Sequence, residues 1–134
     1  MNKAVKAIHY LMANTPVITA EIPANKVFPV RAPQSTAYPY VVHQRLSNRP
    51  EPQKDTASNF DFTQIQLSIY AETVTQAMAI SEAIRTGLDK QRGTFDGVAV
   101  ANIEYLGETD LPEDGAGNDQ IYLIQIEFEV NYHR

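Results

Sequence analysis

The chain has 134 residues, 43% of them apolar and 20% charged, with a net charge of −5 and no cysteine. That size and balance suit a single domain spanning 1–134 around one core, globular rather than disordered. The missing cysteine excludes disulfide staples and thiolate metal sites, and no apolar run approaches the roughly 20 residues that span a bilayer, so a soluble intracellular protein with no membrane partner is expected.

Ala4, Ala7, Ile8 and Leu11 recur at helical spacing within residues 3–13, and Pro16 bars continuation. Residues 17–25 read as loop with a turn near Ile18. Residues 26–31 read as a short edge strand, because Pro29 lacks the N–H that a central strand donates. Pro29, Pro33 and Pro39 then stiffen the chain, and residues 31–39 are expected to form an extended lead-in, with Tyr38 pushed towards extended geometry by the proline after it. A strand follows over 40–47, with Tyr40, Val42 and Leu46 on one face and Val41, His43 and Arg45 on the other. Residues 48–60 are polar up to Phe60 and read as a long loop.

Residues 61–71 alternate cleanly, with Thr63, Ile65, Leu67, Ile69 and Ala71 on one face and Gln64, Gln66 and Ser68 on the other. Thr73 and Gln76 have the spacing of a capping box, and a helix over 74–91 puts Ala77, Ile80, Ile84 and Leu88 on one stripe before Gly93 stops it. Residues 97–107 form another strand. An acidic loop with proline and two glycines covers 108–119. The last strand is the longest: Tyr122, Ile124, Ile126, Phe128, Val130 and Tyr132 alternate with Leu123, Gln125, Glu127, Glu129 and Asn131. The order α-β-β-β-α-β-β predicts an α+β fold, a mainly antiparallel sheet with two helices packed on one face.

The net charge hides an asymmetry. Residues 1–54 carry seven Lys and Arg against Glu21 and Glu51, whereas residues 93–133 carry nine acids and no Lys or Arg. One reading is a solvated acidic face; the other is a subunit whose basic part meets the acidic part of a second copy, head to tail.

Catalytic patterns are sparse. Gly115 and Gly117 sit among acids that would repel phosphate. His9, His43 and His133 lack metal-ligand spacing, so neither a metal nor another cofactor is expected. Glu127 and Glu129, with Glu104 on a neighbouring strand, are the carboxylates nearest to a catalytic pair, and they read better as a polar strand face. The serines lack a nucleophile motif and the cations are too dispersed for a nucleic-acid site. No enzyme is expected; the rival reading is a small intracellular α+β enzyme or adaptor using the acidic strand face.

The stretch RAPQSTAYPYVVHQRLSN, followed by FDFTQIQLSIYAETVTQAMAISEAIRTGL, resembles the tailed-phage and prophage tail completion proteins, also described as head–tail joining or tail terminator-like. The resemblance is carried by Pro33, Gln34, Pro39, Tyr40, Val41, Val42 and Gln44 in the entry strand. Gln66, Ser68, Tyr70 and Ala71 carry it in the next strand, and Thr75, Ala77, Ala83, Ile84, Arg85 and Leu88 in the helix. Ser35 stands where the family has glycine, and His43 where it has tyrosine.

The resemblance implies a structural virion protein with no enzymatic role. It would form a homo-oligomeric ring, expected as a hexamer, assembled in the host cytoplasm and carried in the virion at the tail end or neck. Its partners would be copies of itself, the tail tube protein and the head–tail connector, with DNA only in passage through the lumen. Combined with the residue pattern, the expected inter-subunit or inter-ring contacts are Arg31, Pro33, Gln34, Tyr38, Tyr40, Arg49 and Lys54. The expected lumen-facing acids are Glu104, Glu127 and Glu129.

Overall fold

A computed structural model describes residues 2–51, 59–114 and 120–134, with 112–114 and 120 as backbone only. Helix α1 (Lys3–Asn14) begins where the Asn2 side chain accepts from the N–H groups of Ala4 and Val5. It ends before Pro16, which opens a single helical turn, α2 (Pro16–Thr19), as proline does at a first helical position. A 3-10 turn (Ala24–Lys26) leads into β1 (Val27–Pro29). Then come β2 (Tyr40–Pro50), β3 (Phe60–Ala71), α3 (Val74–Leu88), β4 (Gly93–Phe95), β5 (Val98–Asp114) and β6 (Gln120–His133). The six strands form one sheet in the order β1-β2-β3-β6-β5-β4, antiparallel throughout except for the parallel β1–β2 pair.

The helices lie on one face. Ala4, Ile8 and Met12 of α1 and Ala77, Ile80, Ile84 and Leu88 of α3 are fully buried against Ile65, Leu67, Ile69, Ile126 and Phe128. Each of the Ile, Leu, Met and Phe side chains among them contributes roughly 1.5–3 kcal/mol by leaving water, which is what holds α3 to the sheet. The Thr73 hydroxyl accepts from the Gln76 N–H at 3.1 Å and starts the helix.

The predicted α+β class holds, and the expected elements follow in the predicted order with α2 and β4 added, while several local expectations need correction. Residues 31–39 are folded back rather than extended. Val30 and Ser35 have φ of 65° and 68°, the Thr36 N–H donates to Pro33 O at 3.2 Å, and the Tyr38–Pro39 bond is cis. The expected loop 48–60 is shorter, because Asn48, Arg49 and Pro50 pair with Thr63, Phe62 and Asp61 in the β2–β3 ladder; residues 52–58 lie outside the described residues. The helix expected to reach 91 stops at Leu88, where Asp89 turns to extended geometry, and Gly93 opens β4 instead of following a helix.

The acidic segment at 108–119 is strand as far as Asp114, paired along β6, and 115–119 lie outside the described residues. Along β5 strict period-two alternation is interrupted twice. The register shifts between Val100 and Asn102 and again between Tyr105 and Gly107. Each shift inserts one extra residue and swaps the faces. Val98 and Val100 are therefore buried, Ile103 is buried one place out of phase, and Leu106 bulges into solvent. A similar shift between Arg45 and Ser47 leaves Leu46 exposed on β2.

Candidate assembly interface

The sheet face opposite the helices carries the acids singled out above. Glu104 and Glu129 are directly paired across β5 and β6, and Glu127 pairs with Gly107 two residues along β6. Two of the three are already matched by cations. The Arg49 guanidinium donates to Glu129 at 3.0 Å and lies 4.5 Å from the Phe62 ring centre. Lys90 donates to Glu104 at 2.5 Å. The hydrogen bonds from Lys90 and Asn102, with the charge of Lys90, hold the Glu104 carboxyl below its ordinary range, and the hydrogen bond to Glu104, with the charges of Glu104 and Asp89, lifts Lys90 above its own. Glu127 has no ion-pair partner among the described residues.

At the other end of the same face the aromatic side chains gather. Tyr38 stacks on Tyr40 with ring centres 5.3 Å apart, Tyr40 stacks on its cross-strand partner Tyr70 at 4.8 Å, and Phe28 meets Tyr40 edge-on at 6.4 Å. Tyr70 occupies an outward position of the β3 alternation, the signal that could have joined it to the expected pair.

The expected contact residues fall into two groups. Arg31, Pro33 and Gln34 are exposed on the folded loop after β1, beside Tyr38 and Tyr40. Arg49 lies nine residues beyond Tyr40 on β2, about 30 Å away at strand spacing. Lys54 lies outside the described residues.

Behind β2 lies a feature without a sequence signal. His43 is 1% exposed, and its Nε2 lies 3.0 Å from Nδ1 of His9 on α1. Burial, with a smaller contribution from His9, lowers the His43 pKa to about 4. Its Nδ1 has no hydrogen-bond partner in the described protein, and the ring lines a cleft of about 490 Å³ with Asn2, Val30, Gln44 and Arg45. Two histidines 34 residues apart cannot be paired from spacing. No group of three or more metal-binding side chains occurs among the described residues.

Charge is sorted by strand order. Arg45, Arg49 and the loop bearing Arg31 belong to the β1–β2 side, whereas Glu104, Glu108 and Asp110 belong to β5 on the opposite side.

The whole fold is similar to a protein in the virion of a native gene transfer agent particle, with TM-score 0.73 at 15% identity over 98% of this chain and 94% of that one. A second solved structure matches with TM-score 0.62 at 13% identity over 100% of this chain and 97% of that one. At these identities the likeness establishes the fold. No curated protein matches in sequence. Family-level similarity extends over residues 6–133 and sets the class, a structural protein of phage tails. The chain belongs to the tail completion protein gp17 family. No helix among the described residues is long and apolar enough to cross a membrane.

Proposed function

We propose that this chain forms a ring of six copies at the end or neck of a phage tail, completing the tail tube and joining it to the head connector. The observation that carries this reading is the placement of opposite charges on opposite sides of one sheet. A surface of that kind meets its complement only on another copy rotated about an axis, and a rotation that closes gives a ring. The open sheet face forms the inner wall and the helices the outer one. Glu104, Glu127 and Glu129 then line the lumen, where three carboxylates against the two cations they hold, Arg49 and Lys90, leave a net negative face that repels the phosphates of passing DNA. Tyr38, Tyr40 and the loop with Arg31, Pro33 and Gln34 form the contact with the adjoining ring. Aromatic and arginine side chains are the residues that most often carry such contacts.

Light scattering over a concentration series, followed by negative-stain imaging and by binding to purified tail tubes, tests the reading. A six-fold ring that seats on the tube supports it. A protein that neither assembles nor binds tubes overturns it. Glu127→Lys with Glu129→Lys tests the lumen separately, and unchanged DNA ejection would remove the acidic-lumen element.

A further inference from the structure

Both sides of the sheet end in strands that are only partly covered. On one side β1 pairs with Val41, Val42 and His43. After Val30 donates its N–H to His43 O at 2.8 Å, its positive φ turns the chain away. The outer edge of β2 over 44–50 has no backbone partner among the described residues. On the other side β4 covers only Val98 to Val100 of β5. The turn after α3 covers two more positions, where the Lys90 N–H donates to Ile103 O at 2.7 Å and the Tyr105 N–H donates to Asp89 Oδ1 at 2.9 Å. From 106 to 114 the outer edge of β5 is open among the described residues. Long open edges are templates for another strand, and proteins that keep them uncovered risk uncontrolled pairing.

We infer that the edge of β2 over 44–50 pairs antiparallel with the edge of β5 over 106–114 of the next copy, with Pro50 and Pro112 contributing no N–H to the ladder, making one continuous sheet around the assembly. This rests on the ring reading above and names the contact that closes it. The direction is right. Three successive antiparallel steps, β2 to β3 to β6 to β5, leave β5 antiparallel to β2, so a copy displaced sideways presents the correct polarity.

The side chains also match. Arg45 pairs with Ile65 and so lies on the helix side of β2, beside the cleft that holds the unpartnered His43 Nδ1. Glu108 and Asp110 pair with Ile126 and Ile124 and so lie on the helix side of β5. The exposed apolar residues Val30 and Leu46 on one edge face Leu106 and Leu111 on the other. An acidic side chain of the neighbouring β5 thus enters the cleft beside Arg45.

The offset between the two edges fits a closed wall. Arg45, on the helix side of the open β2 edge, is level with Phe128 through Ile65, whereas Asp110, on the helix side of the open β5 edge, is level with Ile124. Opposing Arg45 to Asp110 offsets the two edges by four residues along β6, or about 14 Å at strand rise. Four strand spacings separate β2 from the β2 of the next copy, or about 19 Å. The strands therefore incline about 35° to the ring axis, at the lower end of the 35–45° typical of closed sheets.

Arg45→Glu and Asp110→Arg test the pairing, since both positions are exposed and neither substitution touches the core. Each variant alone should need at least tenfold more protein to assemble than the wild type. Mixed one to one, they should assemble at wild-type concentrations, because each defective edge then meets its complement. Amide exchange on the wild type provides a second readout, with slowing expected at both 44–50 and 106–114 on assembly. A wild-type ring with unchanged exchange at these edges overturns edge pairing and leaves the ring intact. A chain that stays monomeric but binds tail tubes overturns edge pairing and leaves the tail-end reading intact. Failure of both assembly and tube binding overturns the two together.

Discussion

His9 and His43 meet nitrogen to nitrogen at 3.0 Å between helix α1 and strand β2, and His43 is shielded from solvent. A neutral pair can share one N–H across that distance, whereas protonating both rings would place two positive charges side by side.

This pair should make stability fall in mild acid. The His43 pKa is lowered by burial first and by His9 second, to about 4, from an unfolded value of 6.5. The stabilisation is complete above pH 6.5. As pH falls below 6.5 the unfolded chain takes up a proton that the folded one refuses, so stability declines until about pH 4. The difference amounts to about 3 kcal/mol. Chemical denaturation at pH 7 and pH 4.5 should show the loss, and His43→Phe should flatten the slope between them. An equal slope in the variant would assign the acid sensitivity to other groups.

Removing the cap of α3 should be felt throughout the helix. Thr73→Ala deletes the hydroxyl that accepts from the Gln76 N–H at 3.1 Å. The expected cost is about 1 kcal/mol in urea denaturation, since that N–H then turns to water.

Gly87 is small because α2 crosses over it. A Cβ placed there would sit 2.6 Å from Ile18 Cδ1 and 2.8 Å from its Cγ1. Alanine normally favours a helix, yet Gly87→Ala should destabilise by about 1–2 kcal/mol through overpacking. Combining it with Ile18→Ala should cost less than the two single changes added together, because the second removes the atoms that collide. Simple additivity in thermal melts would mean that α2 moves aside at no cost.

The tyrosine stack should separate stability from docking. Tyr38 stacks on Tyr40 at 5.3 Å and is half-exposed. Tyr38→Ala should lower stability by roughly 0.5–1.5 kcal/mol, the range for an aromatic pair. If this end of the sheet meets the adjoining ring as proposed, tube binding should weaken at least tenfold. Unchanged tube binding would remove Tyr38 from the contact.

Much of this molecule was readable one strand at a time. The period-two pattern of β3 and β6 and the helical stripe of Ala77, Ile80, Ile84 and Leu88 required only local geometry, and each predicted apolar face is the buried one except at the start of β6, where Leu123 is buried and Tyr122 half-buried. Glu127 and Glu129 share a face because alternation along a strand is local too, whereas Glu104 joins them only through the β5–β6 register.

Tertiary structure decided the rest. Bulges in β2 and β5 swap faces midway along a strand, and a single extra residue has no signature in composition. The proline-rich segment folds back where Val30 and Ser35 adopt positive φ, which their residue types do not signal. The His9–His43 pair and the open edges of β2 and β5 exist only once strand order is set. Strand order depends on pairings between residues far apart in the chain, whereas sequence patterns record mainly what happens within a few residues.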